Sequence, residues 1–78
     1  MKLTIVSADG AVLETEARYV CLPAEDGEVG ILGGHAPLLA ALKAGKVKYD
    51  CETDGVRKTA DIPGGMAEVK DNEVTIII

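Results

Sequence analysis

The sequence predicts an all-β domain, and three observations carry that prediction. Apolar and polar residues alternate with period two in most segments, and turn residues interrupt the alternation every ~8–12 positions. The 21 Val, Ile and Leu residues carry the apolar content of a chain without Phe or Trp, a composition that suits pleated surfaces. Regular short strands of this kind build a sandwich or barrel. Residues 1–78 make one domain. A chain this small buries only roughly 60–65% of its unfolded surface, so its core has to be densely aliphatic.

Lys2 to Ser7 (KLTIVS) places Leu3 and Ile5 on one face and Thr4 and Val6 on the other. Asp9-Gly10 then supplies a hairpin turn. Ala11 to Pro23 (AVLETEARYVCLP) is long for one strand, and its polar middle, Glu14 to Glu16, predicts a bend or bulge. Pro23 to Gly27 reads as a charged loop fixed at both ends. Ala36 to Gly45 (APLLAALKAG) is ambiguous: Pro37 suits the first position of a two-turn helix capped by Gly45, and the same apolar run reads equally as a strand.

Lys46 to Glu52 alternates cleanly, with Val47, Tyr49 and Cys51 on one face and Lys46, Lys48 and Asp50 on the other. Thr53-Asp54-Gly55 turns it back into Val56 to Ile62, where Val56, Ala60 and Ile62 share a face interrupted by Lys58. This is the clearest hairpin signal in the chain. Pro63-Gly64-Gly65 breaks the pattern before Met66 to Lys70, and Asp71-Asn72 turns it into Glu73 to Ile78.

A net charge of −5 and a pI near 4.6 argue against a nucleic-acid partner, which demands a basic stripe against phosphates. Cys21 and Cys51 are too far apart in sequence for a CxxC pair. Each reads as a small buried hydrophobe, and a disulfide between them stays open if their strands pair. The start, MKLTIVS, lacks the apolar run of a signal peptide, and no segment approaches the ~18 apolar residues of a membrane span. The expectation is a soluble protein of a reducing compartment.

Chemistry, if present, should concentrate in Gly27 to Leu42 (GEVGILGGHAPLLAAL), which holds four of the nine glycines and the only histidine. A phosphate cradle needs GxxxxGK[ST] or GxGxxG between strand and helix. Here the spacing is GxxGxxGG, and Glu25, Asp26 and Glu28 repel anions. His35 has no nucleophile joined to it by a motif, since Ser7, Cys21 and Cys51 are scattered, and no ligand spacing supports a metal. The residues instead suggest a turn histidine, partly buried and bonded to backbone, beside an apolar docking face. For each of Leu38, Leu39 and Leu42, core and docking roles are equally open.

Leu22 to Val47, followed by Gly64 to Ile76 (GGMAEVKDNEVTI), resembles the epsilon subunit of F-type rotary ATP synthase, whose pattern is close to GE-x-GI-L/Y-PGHAPLL and then GG-x-x-EV-x-x-N-x-VT. The opening LTIVSADGAVLE also fits that family. The resemblance implies a β-sandwich of two antiparallel five-stranded sheets, without the family's C-terminal helical hairpin, since the sequence stops at Ile78. It implies a non-catalytic central-stalk part that needs no cofactor and links the gamma shaft to the c ring, so that proton-driven rotation is coupled to ATP synthesis.

Carried over by position, Ser7, His35, Ala36, Pro37, Leu38, Leu39 and Ala40 would lie toward gamma, and Glu25, Asp26 and Glu28 toward the c ring. The implied location is the cytoplasmic face of a bacterial inner membrane, or the organelle equivalent, held there through the complex. Gly33 stands where the family usually has proline, Pro63 where serine is common, and Ala44 where proline is common. The alternatives are a small ligand- or nucleotide-binding sandwich and, more remotely, an enzyme pairing His35 with Cys21 or Cys51.

Overall fold

The computed structural model describes all 78 residues. Eight strands follow one another: β1 (Lys2–Ser7), β2 (Gly10–Ala24), β3 (Gly27–Leu32), β4 (Leu38–Leu42), β5 (Gly45–Cys51), β6 (Arg57–Ile62), β7 (Gly65–Lys70) and β8 (Glu73–Ile77). The ambiguous segment after Pro37 is therefore the strand β4. Gly45 opens β5 instead of capping a helix. A five-residue apolar run has no length for a stable helix, whereas neighbouring β7 gives each of its residues a cross-strand partner.

The 15-residue β2 holds the architecture together. Its first half pairs with β1, and its second half pairs with β3 and β5. Its last residue, Ala24, meets Leu42 of β4. Two layers result. One runs β2-β1-β8-β7-β4 and the other β3-β2-β5-β6, all in one hydrogen-bonded network. With β2 counted in both, the layers hold five and four strands, one fewer in all than the five and five the resemblance implied.

Turning a strand from one layer into the other requires extra local twist, which bulges supply. The bend expected at Glu14–Glu16 falls slightly later: the β2–β5 register shifts between Ala17 and Tyr19, and a second shift in the β1–β2 ladder lies between Ile5 and Val6. The turns follow the sequence closely, the first lying one residue before the expected Asp9-Gly10. Ala8-Asp9 and Asp71-Asn72 are two-residue hairpin connections, and Asp71 and Asn72 both take positive φ, 52° and 60°, the type I′ geometry that matches strand twist. The charged loop after Pro23 is shorter than its composition suggested. Ala24 pairs directly with Gly27, leaving only Glu25-Asp26 as the turn.

First and last strands pair in parallel, with Leu3 opposite Val74 and Ile5 opposite Ile76. These four side chains point inward and join Val20, Leu22, Ile31 and Val47 in one core cluster of 15 residues. Tyr49 is the cluster's only aromatic member, so interdigitated aliphatic groups carry the packing. Leu22 is fully buried, whereas Val12 is 61% exposed. Leu22→Ala is therefore expected to cost about 2–5 kcal/mol, a large share of a small domain's stability, and Val12→Ala to stay within about 0.5 kcal/mol. Urea denaturation of the two variants checks the contrast.

Candidate docking surface

The two outer faces of the sandwich differ in chemistry. On the first layer, register places Val6, Ile77, Met66 and Ala41 side by side across β1, β8, β7 and β4. Met66 is 45% and Ile77 54% exposed, and on β4 the outward Leu39 is 67% exposed. Beside this row, toward the other end of the sheet, Thr4, Thr75 and Glu68 lead to Leu39. An uncharged row thus runs from the end of β1 to β4. Exposed single apolar residues are ordinary, but a row on adjacent strands with no charge within it is a candidate contact surface.

The sequence-derived gamma-facing residues lie along this band unevenly. Ser7 ends β1 next to Val6, where its Oγ accepts the Asp9 N–H at 3.3 Å and donates to the Gly10 carbonyl at 3.4 Å. His35 lies at the opposite end of the sheet, in the loop before β4, so the two are not neighbours. Leu38, Ala40 and Leu42 point inward and pack on the core or within it. That alternation leaves Leu39 as the outward leucine, with Leu38 and Ala40 partly buried against the core. Val6, Met66, Ala41 and Ile77 escaped the sequence reading because they become neighbours only through the β1–β8–β7–β4 order.

His35 is exposed, not partly buried, and its Nδ1 lies 2.6 Å from the Ala36 carbonyl oxygen, to which it donates in the Nδ1–H tautomer. Its backbone N–H donates to the Leu32 carbonyl at 3.2 Å, with Gly34 between them at φ 78°. A positive φ at the third residue of such a turn is the type II signature, and proline is favoured at the second residue, here Gly33. At the other end of β3, Glu25 and Asp26 form the exposed turn without ion-pair partners, while Glu28 Oε2 accepts from Lys48 Nζ at 3.2 Å. The acidic turn and the His35 loop thus lie at opposite ends of one strand.

A β-sandwich with an acidic tip and one uncharged outer row matches known proteins along its whole length. The family model described as ATP synthase, Delta/Epsilon chain, beta-sandwich domain matches residues 1–78. The chain belongs to this family. An ATP synthase epsilon chain of Desulfitobacterium hafniense is 43% identical over 75 residues, covering 96% of this chain and 55% of that relative. One from Bordetella petrii is 39% identical over 77 residues, covering 99% and 54%. The chain spans about half the length of the relatives it matches. A chain in the Euglena gracilis mitochondrial ATP synthase OSCP/F1/c-ring structure superposes with a TM-score of 0.86 at 30% identity, covering 96% of this chain and 48% of that one. The Tetrahymena thermophila central stalk/c-ring structure gives a TM-score of 0.76 at 20% identity, a likeness of fold.

In this chain the second layer's outer face is charged and self-paired. Lys46 bonds Asp61 at 2.8 Å, Lys48 reaches across β2 to Glu28, and Arg57 holds Asp50 through two bonds of 2.7 and 3.1 Å. The Arg57 guanidinium also lies 5.4 Å from the Tyr19 ring centroid, within cation–π range. The Tyr19 ring covers Gly30, where a Cβ would come within 2.7 Å of the tyrosine Oη. The clustered glycines are thus spread along a strand and its turns, and they form no single loop that could wrap a phosphate.

Cys21 and Cys51 are both free and buried. Their strands pair, yet Cys21 faces Lys48 and Cys51 faces Ala17, so no bridge forms between them. Thr53 Oγ1, 3.4 Å from Cys51 Sγ, holds that thiol below its ordinary value. Neither cysteine is a hydrogen-bond partner of His35. No helix is long and apolar enough to cross a membrane.

Asp50 yields a pH test. Its hydrogen bonds from Arg57 hold the carboxyl below the usual range. A folded value below the unfolded one, about 3.9, adds stability that is complete above the unfolded value and is lost as pH falls through the folded one. The stability difference between the parent and Arg57→Gln is therefore expected to be larger at about pH 6 than at about pH 2.5. A difference independent of pH, by urea titration, would contradict the pairing.

Proposed function

We propose that this domain is a non-catalytic rotor part of an F-type ATP synthase, joining the gamma shaft to the c ring so that ring rotation is coupled to ATP synthesis. The observation that carries the reading is the uncharged row Val6–Ile77–Met66–Ala41 with Leu39 beside it. An apolar row of this kind fits a subunit contact, because interface cores are depleted in charge and enriched in Met and other large apolar groups. The opposite face satisfies its charges internally and carries one large exposed apolar residue, Leu32, on its edge strand β3.

Gamma is the partner assigned to this row, to Ser7 at one end, and to Leu39 and the His35-Ala36-Pro37 loop at the other. The c ring is assigned to the acidic tip. Glu25 and Asp26 project there without cations beside them, and Glu28 is already partnered by Lys48. Glu25 and Asp26 thus supply the free negative charge, while Glu28 has to exchange one cation for another. The setting is peripheral to the cytoplasmic face of a bacterial inner membrane, with attachment through the complex.

Met66→Asp is expected to weaken gamma binding by roughly 30-fold, the scale of a contact hot spot, and Thr59→Asp on the charged face to leave it unchanged. Titration calorimetry with purified gamma reads both, and equal effects at the two positions would refute the assignment of the face. Reversing charge at Glu25 and Asp26 together is expected to lower proton-coupled ATP synthesis in reconstituted vesicles more than Glu28→Lys does. The reverse order would contradict the reading of the tip.

A further inference from the structure

Residues 33–37 lie between Leu32, the last residue paired with β2, and Leu38, the first paired with β7. Within this loop two bonds are local, His35 N–H to Leu32 and His35 Nδ1 to Ala36. The only bond that ties the loop to a distant segment runs from Gly34 N–H to Asn72 Oδ1, 3.2 Å long and spanning 38 positions. Asn72 also accepts the Lys2 N–H at its backbone carbonyl, 3.2 Å away. One residue therefore joins the β7–β8 turn, the first strand and the His35 loop.

The residue type fits the conjunction of two demands. Asn72 has φ 60°, a left-handed conformation that glycine takes without strain and that asparagine and aspartate tolerate best among residues with a side chain. Glycine would satisfy the turn and lose the acceptor. Aspartate would keep both. Gly33 adds a need for such a clip, since it occupies the turn position where proline would fix φ in advance. A Cβ at Gly33 would lie 3.5 Å from Asn72 Oδ1, ordinary contact distance, so proline's Cβ fits beside the clip.

We propose that Asn72 is the positioning residue of the docking loop: its Oδ1 holds the Gly33–Pro37 turn in the conformation that presents His35 and Pro37 beside Leu39. The proposal rests on the docking reading given above, and it adds a residue that touches no partner itself. The Asn72 bond restrains the turn through a side chain, and a proline at 33 would restrain the same turn through its backbone.

The test uses the intact protein with Asn72→Gly, Asn72→Asp and the double variant Gly33→Pro/Asn72→Gly. Two readouts are needed: amide exchange at Gly34 by NMR, and affinity for gamma by calorimetry. Asn72→Gly keeps the turn, so thermal stability should change little, while Gly34 exchange accelerates and gamma affinity falls by about tenfold, the worth of one lost hydrogen bond of ordinary strength. Asn72→Asp should retain both properties within about threefold. Gly33→Pro added to Asn72→Gly should restore gamma affinity without restoring a side-chain acceptor, a rescue that a merely structural role for Asn72 does not give.

Unchanged Gly34 exchange in Asn72→Gly would show that the clip is not formed. Faster exchange with unchanged gamma affinity would show that the clip does not serve docking. If the parent protein itself fails to bind gamma, the docking reading falls and the positioning role falls with it, while the exchange data still report whether the clip exists.

Discussion

The constraint on which the structure depends is that one strand, β2, has to supply backbone partners to four others. Its amides and carbonyls join β1, β3, β4 and β5, and buried backbone groups left without partners would cost more than the packing gains. This demand fixes the strand's length, its bulge beside Arg18 and the point at which the chain passes between layers. With β2 in place, the inward side chains of both layers have one common space to fill. Leu3, Ile5, Val74 and Ile76 face it from one side and Val20, Leu22 and Val47 line it from the other.

From that arrangement follows the division of the outer surface. A two-layer domain this small has only two broad faces, and the residues between the inward positions determine what each presents. On β5 and β6 they are Lys46, Lys48, Asp50, Arg57 and Asp61, which pair among themselves or with Glu28. Exposed pairs of this kind add little stability, about 0.2–1 kcal/mol each, but they keep that face solvated. On β1, β8, β7 and β4 the corresponding row is Val6, Ile77, Met66 and Ala41, which water solvates poorly. Under the proposed function this difference has a use, because a part joined to one partner by a face and to another by its tip needs one face that water leaves readily.

Much of the fold was legible in the sequence for local reasons. Alternation marked β1 and β5, Asp71-Asn72 marked the β7–β8 turn and Asp9-Gly10 marked the β1–β2 turn to within one residue, and each signal rests on neighbours in sequence. The segment after Pro37 was not legible, since five apolar residues carry no periodicity long enough to separate strand from helix, and pairing with β7 decides the matter. The candidate docking surface drew on the sequence only in part. GHAPLL pointed to the family and to the loop, yet it could not distinguish the outward Leu39 from the inward Leu38. Met66 and Ile77 looked like routine strand residues, and only the parallel pairing of β1 with β8 brings Val6 beside Ile77. Asn72 read as a turn residue, while its bond to Gly34 depends on two hairpins meeting at one end of the sandwich.

The division of labour between the two outer faces is the central claim, and methyl and amide NMR of the intact protein titrated with gamma tests it most directly. Shift perturbations centred on the Ile77, Met66 and Leu39 methyl groups, with the Lys48, Thr59 and Asp61 amides unmoved, are the expected result. Perturbations centred on β5 and β6 instead, with Ile77 and Met66 unmoved at saturating gamma, would contradict it.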